Sequence, residues 1–123
     1  MKDEFLIFQK MYDFSVYAFL IIAMMPKNHR FVLGQQIESQ MLEILSLLIV
    51  VNKLDVNDRK KYFVEFSNTF DIMRLKIRLA NTLGLIYPKP YLNMAEKSNE
   101  IMGTPLCGVP FKLFLYFMLA GNR

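Results

Sequence analysis

The sequence has few of the residues from which catalytic and metal sites are built. Its 123 residues include one cysteine, Cys107, one histidine, His29, and five glycines. Cys-x-x-Cys, His-Glu-x-x-His and Glu-x-x-His spacings and a glycine-rich phosphate loop are absent, which argues against zinc, di-iron and nucleotide sites. A Ser-His-Asp triad has no recognisable signature either. Paired carboxylates could still meet in the folded chain, but we expect no enzyme activity, no metal and no cofactor.

The sequence also lacks a second cysteine and any long apolar run. One cysteine cannot form an internal disulfide, so nothing indicates an oxidising compartment, and the cytoplasm is the expected location. The charge-free runs at 16–25 and 113–121 are each about ten residues long, whereas a membrane-spanning helix needs about 20. We expect the first run to be a buried core helix and the protein to have no membrane partner.

What the sequence does contain is apolar side chains in helical register. It is 54% hydrophobic and 14% aromatic, enough for one domain with a substantial core. Segments at about 3–25, 30–52, 59–83 and 91–102 are predicted to be helices, because apolar residues in the long ones recur at spacings of three and four. The predicted core stripes are Phe5, Phe8, Tyr12, Val16, Phe19 and Ala23 in the first segment; Leu33, Ile37, Met41, Ile44, Leu48 and Val51 in the second; and Phe63, Phe66, Phe70, Met73, Ile77 and Asn81 in the third.

Breaks between these segments predict turns near 26–29, 53–58 and 84–90. Pro26 disfavours helical geometry in the residue before it, and Gly84 suits the end of a helix. Candidate N-terminal caps are Asn28, Asn57 and Asp58. No segment alternates with the period of two that is typical of a strand.

Three long helices joined by short turns are forced to lie antiparallel to their neighbours. We therefore predict an all-α fold, an antiparallel up-and-down four-helix bundle, over residues 1–103. Residues 104–123 form an apolar C-terminal tail, in which Pro105 and Pro110 break any helix. This tail could fold back on the bundle or enter an oligomer interface, and Cys107 is interpreted as a bystander.

Basic residues are the main indication of function. The net charge of +4 and the pI of about 9.2 permit an anionic partner. Arg74 and Arg78 are four residues apart and lie one above the other on a helix, where two guanidinium groups can bind phosphates or carboxylates bidentately. Internal ion pairs with Asp71, or with Glu38 or Glu43 of the second helix, are the alternative. Further basic clusters are Lys27 with Arg30, and Lys53 with Arg59, Lys60 and Lys61. Lys60 and Lys61 are more simply interpreted as a solvated face.

Three segments resemble the Avd family, the accessory variability proteins of diversity-generating retroelements. They are MPKNHRFVLGQQIE at 25–38, FDIMRLKIRLA at 70–80 and NEIMG at 99–103. The resemblance implies a four-helix bundle that forms a homopentamer and binds a reverse transcriptase and its template RNA through a basic surface. The family's arginine pair matches Arg74 and Arg78. After Gly103 the sequence departs from the family pattern, because it has no tryptophan.

The resemblance and the basic clusters together give the candidate residues for binding nucleic acid or a partner. They are Arg74, Arg78, Lys27, Arg30, Lys60 and Lys61. We also expect an oligomer, because residues 41–51 have only Glu43 and Ser46 as polar residues and because wide apolar surfaces usually mark interfaces. A bundle of the type encoded in intervening sequences of 23S ribosomal RNA genes, or a purely structural oligomer, remains an alternative.

Overall fold

The structure, a computed structural model, describes residues 2–55, 58–106 and 109–110. The helices are α1 Lys2–Ile22, α2 Lys27–His29, α3 Gln35–Asn52, α4 Lys60–Thr82 and α5 Pro88–Gly103, with a π-helical segment at Arg30–Gly34. The backbone stays in the helical region where α2, the π-helical segment and α3 meet. These three pieces therefore form one continuous helix, which we call the second rod.

Four helical rods pack as a bundle. The α3 helix packs against α1 and α4, and α5 also packs against α1 and α4. Each rod therefore has two neighbours, and the short connections make successive rods antiparallel. The predicted all-α four-helix bundle is confirmed.

The core is apolar and continuous along the bundle, and two of the three predicted stripes line it. Every predicted core residue of the second rod is buried except Leu33, which is partly buried. In α4 every residue of the predicted stripe is buried except Asn81, which is partly buried. Successive aromatic rings stack inside the core, with the ring centroids of Phe66 and Phe70 5.8 Å apart.

The predicted core stripe of α1 is only partly right. Phe8 and Phe19 are partly buried and pack against the core, Ala23 is exposed beyond the end of α1, and the side chain of Phe5 lies outside the described part of the chain. The residues of α1 that line the core are Ile7, Met11, Phe14, Ala18 and Ile22. Tyr12 and Val16 of the predicted stripe are 50% and 49% exposed. Both stripes have helical spacing, because α1 is apolar on most of its circumference. Spacing alone therefore could not determine which stripe faces the other rods.

The first turn lies earlier than predicted. The α1 helix ends at Ile22, and α2 begins directly after Pro26, so Asn28 is inside a helix and does not cap it. The carbonyl oxygen of Pro26 accepts hydrogen bonds from the backbone N–H groups of His29 and Arg30, at 3.0 and 2.9 Å. A proline suits this place because it has no N–H group to leave unpaired at a helix start.

The α4 helix ends just before a glycine. At the end of α4, Gly84 has a φ of +74°, and Leu85 N–H donates to the carbonyl of Ala80 at 2.9 Å. This is the glycine stop that the sequence predicts.

The N-terminal cap of α4 and the start of α5 differ from the prediction. The N-terminal cap of α4 is Arg59, without a side-chain hydrogen bond, so Asp58 is not the cap. Asn57 lies outside the described residues. The α5 helix begins at Pro88, three residues before the predicted start at Tyr91, because proline is tolerated in a first helical turn.

A close approach between rods explains one glycine. Gly34 is buried in the π-helical segment, and a Cβ atom placed on it would lie 2.9 Å from Cγ2 of Ile22. That distance is shorter than van der Waals contact, so α1 and the second rod can meet here only at a glycine.

The start of the tail folds with the bundle. Thr104 is buried, and its Oγ1 donates to the carbonyl of Glu100 at 2.7 Å. Two antiparallel strands follow, β1 Pro105–Leu106 and β2 Val109–Pro110, and β1 contacts α1. The sequence does not predict this pairing, because two residues are too few to show a period of two. Because each strand has only two residues, the pairing leaves the all-α class unchanged.

Parts of the tail prediction are not tested. Cys107 and residues 111–123, with the apolar run at 113–121, lie outside the described residues. Within the described part of the chain, no helix combines the length and the hydropathy needed to cross a bilayer.

Candidate binding surface

Acidic residues are absent from two stretches of the sequence. Residues 14–37 and 72–95 contain six of the 15 lysines and arginines and none of the 11 aspartates and glutamates. The six are Lys27, Arg30, Arg74, Lys76, Arg78 and Lys89. The rest of the chain has nine basic and 11 acidic residues. These two stretches therefore supply most of the excess of positive charge, and residues 101–123, also without an acidic residue, add Lys112 and Arg123.

The fold brings both stretches to the same end of the bundle. They contain the end of α1, the start of the second rod, the end of α4 and the start of α5. In an antiparallel bundle these four segments are neighbours. We call this region, residues 14–37 and 72–95, the acid-free end.

Lys27 and Arg30 lie where the second rod begins. Lys27 is the first residue of α2 and is exposed. Arg30 is half-buried: its Nη1 donates to the carbonyl of Ala23 at 3.0 Å, and its Cζ lies 5.3 Å from the ring centroid of Phe31. Arg30 thus satisfies a backbone carbonyl just beyond α1 while the positive charge stays at the acid-free end.

Arg74 and Arg78 lie on one side of α4, as their spacing predicts. Arg74 is half-buried; its Nη2 donates to Oδ1 of Asn99 on α5 at 3.1 Å, and its Cζ lies 5.8 Å from the ring centroid of Phe70. Arg78 is exposed. Within the described part of the chain, neither arginine forms an ion pair with a carboxylate.

Lys60 and Lys61 are not brought to the acid-free end. Lys60 is the first residue of α4, and the neighbouring Lys61 is exposed, with its Nζ 5.0 Å from the ring centroid of Tyr62. A rise of about 1.5 Å per residue separates Lys61 from Arg78 by roughly 26 Å along α4. The predicted candidate residues therefore divide into a group of four at one end of the bundle and a pair at the other.

A cleft opens between α4 and α5 beside the arginine pair. It has a volume of about 610 Å³. Its lining residues on α4 are Asp71, Arg74, Leu75, Ile77 and Arg78, those on α5 are Tyr91, Met94, Ala95 and Ser98, and Phe14 of α1 also contributes. Phe14, Ile77, Met94 and Ser98 are buried and form the floor, whereas Asp71, Leu75 and Arg78 are exposed at the rim.

Sequence reasoning missed Lys89 and the cleft beside Tyr91. The signal for Lys89 is present in the sequence, because the gaps between acidic residues at 14–37 and 72–95 coincide at one end of an antiparallel bundle. The cleft has no such signal, because it depends on the spacing between α4 and α5. No group of three or more His, Cys, Asp and Glu side chains in the described part of the chain could hold a metal ion.

Comparison with known proteins identifies the family. A family model described as bAvd-like matches residues 5–109, which includes every described helix except the first residues of α1. No curated protein matches the chain. Because the match covers most of the sequence and the fold is a four-helix bundle, the chain belongs to the bAvd-like family.

Proposed function

We propose that this protein is a non-catalytic accessory component of a diversity-generating retroelement. In this role it binds the element's reverse transcriptase and template RNA through the acid-free end of the bundle. Membership of the bAvd-like family supports the retroelement role, and the charge of the acid-free end supports an anionic partner.

The separation of charge along the bundle is the observation that carries this proposal. Six basic residues lie at this end in stretches without an acidic residue, and Asp71, at the rim of the cleft beside Arg74, offsets only part of their charge. Such an excess of positive charge attracts phosphate backbones. Arginine can also hold a phosphate or carboxylate with two donors at once, which suits Arg74 and Arg78. The opposite end, where Lys60 and Lys61 lie close in sequence to Asp55, Asp58 and Glu65, has mixed charge and a weaker net field.

Reconstitution with the neighbouring genes tests the retroelement role. The chain would be expressed with the reverse transcriptase and template RNA that sequencing of its neighbouring genes identifies, and the purified complex assayed for both components and for cDNA synthesis. Neighbouring genes without a reverse transcriptase would contradict the retroelement role. We expect the three to copurify, and cDNA synthesis to fall when the chain is omitted. RNA retained without any reverse transcriptase would contradict the retroelement role but not RNA binding.

We also propose that the protein forms a homo-oligomer. Several large apolar side chains on the outside of α1 are exposed, among them Tyr12, Val16, Leu20 and Met24 beyond its end. The α4 helix also exposes Ile72, Leu75 and Leu79. Large apolar side chains exposed in this number are costly in water and are usually covered in an assembly. The family resemblance implies five subunits.

A further inference from the structure

The cleft between α4 and α5 combines two chemistries in one place. Its floor of Phe14, Ile77 and Met94 is apolar and buried, and the half-buried Tyr91 adds an aromatic ring. Arg74 and Arg78 provide the positive charge beside this floor. A ligand that fits both must carry an anionic group next to a flat apolar one.

A nucleotide with an unpaired base has this combination. Proteins bind single-stranded nucleic acids with basic side chains along the backbone and aromatic side chains under the bases. The volume of about 610 Å³ is within the range of pockets for small molecules. Asp71 at the rim repels phosphate, but its carboxylate can accept hydrogen bonds from the N–H groups on a base edge. An acidic protein segment would use the arginines and leave the buried apolar floor without a role.

We infer that the α4–α5 cleft accepts one unpaired nucleotide of a single-stranded RNA, with the base against Tyr91 and the apolar floor and the phosphate at Arg74 and Arg78. This inference rests on the proposed RNA binding and adds that the RNA is recognised by an unpaired base. A base within a duplex is stacked and paired, so it cannot enter the cleft.

A variant that fills the cleft without changing its charge tests the inference. Ala95 lines the cleft and is half-buried, so Ala95→Phe places a ring where the base would lie. Binding of a short single-stranded oligoadenylate and of a blunt RNA duplex would be measured by fluorescence anisotropy. We expect Ala95→Phe to weaken single-strand binding about tenfold, the loss expected for one base stack, with duplex binding unchanged. The matched control is Ser46→Phe, at an exposed position on α3, which should bind both RNAs like the unaltered protein.

A second variant keeps the inference testable if Ala95→Phe does not fold. Tyr91→Leu removes the aromatic ring, retains an apolar side chain and should also weaken single-strand binding selectively. A folded Ala95→Phe or Tyr91→Leu protein that binds oligoadenylate at full strength would overturn the inference and leave the proposed function intact. Equally weakened binding of both RNAs would also overturn it. So would a variant that binds both RNAs normally but no longer copurifies with the reverse transcriptase. If the unaltered protein binds neither RNA, the proposed RNA binding itself fails.

Discussion

Individual basic side chains in this protein contribute to the fold and to the positive surface at the same time. Arg30 donates to the carbonyl of Ala23, beyond the end of α1, and Arg74 joins α4 to Asn99 of α5. Both can still bind an anionic partner at the acid-free end, because their acceptors are neutral and one hydrogen bond uses only one of the five N–H donors of a guanidinium group. The structural and the binding interpretations of these arginines are therefore not exclusive.

Substitutions of Arg30 and of the nearby Lys27 distinguish the contribution to stability from the contribution to RNA binding. Replacing Arg30 with alanine removes both a charge and the hydrogen bond to Ala23, so we expect weaker RNA binding and a stability loss of about 0.5–1.5 kcal/mol. Lys27→Ala removes the same charge from an exposed position, and should weaken RNA binding while stability changes by less than about 0.5 kcal/mol. Urea unfolding and anisotropy measure the two effects. Equal stability in both variants would show that the hydrogen bond of Arg30 contributes nothing measurable.

At the scale of elements, the bounds of the four rods are easier to predict from the sequence than the side of each rod that faces the core. The start and end of α4 are within one residue of the prediction, because Gly84 and the polar link before α4 limit the helix. The predicted core stripe of α1 includes the exposed Tyr12 and Val16 because Ile7, Met11 and Ala18, which line the core, have the same helical spacing. Only contacts with α3 and α5 distinguish the two sides.

The candidate site, too, could be predicted only in part from spacing within one helix. The four-residue spacing of Arg74 and Arg78 is enough by itself to place them on one side of a helix. The separation from Lys61 follows from the length of α4 alone, whereas the grouping with Lys27 and Arg30 requires the antiparallel arrangement of the rods. The cleft beneath them depends on the gap between α4 and α5, which no spacing within one helix encodes.

Gly84 provides a test of how α4 ends. Its φ of +74° is unfavourable for any residue with a Cβ atom, although nothing within 4 Å would clash with one. Gly84→Ala should therefore lower the free energy of unfolding by about 1–2 kcal/mol through the backbone alone. The control is Gly103→Ala, because Gly103 lies in α5 and a Cβ there would also meet nothing within 4 Å. Thermal or urea unfolding that gave the two variants equal stability would contradict this interpretation of the turn.

At the scale of the whole molecule, the protein exposes two features that a single bundle in water does not need. One is the positive charge of the acid-free end, and the other is the set of apolar side chains exposed on α1 and α4, two rods that lie diagonally in the bundle. Most of these apolar side chains, such as Leu20 and Leu75, lie at the acid-free end itself. An oligomer covers apolar surface and multiplies the number of basic ends, so self-association would strengthen RNA binding through several weak contacts at once.

Leu20 tests the proposed oligomer. It is 65% exposed on the outside of α1, so Leu20→Glu should not unfold an isolated bundle. In an oligomer interface the same change buries an unpaired charge and should dissociate the subunits. Sedimentation should show an oligomer for the unaltered protein and a 14.5 kDa monomer for the variant. Gln9→Glu, at an exposed position elsewhere on α1, adds the same charge and should stay oligomeric, although it replaces the hydrogen bond from Gln9 to Asp13 with repulsion between two carboxylates. A monomer for the unaltered protein at micromolar concentration would exclude the proposal.

The central claim is that RNA binds at the acid-free end, and two charge-matched double variants test it most directly. Arg74→Ala/Arg78→Ala and Lys53→Ala/Lys61→Ala each lower the net charge from +4 by the same amount, but at opposite ends of the bundle. The measurement is the affinity for single-stranded RNA as a function of salt concentration. We predict that only the arginine variant binds about tenfold or more weakly, with a slope of log affinity against log salt that is shallower by about 1.4, since each lost contact to a single strand removes about 0.7. Equal losses in the two variants, or a larger loss in the lysine variant, would contradict the claim.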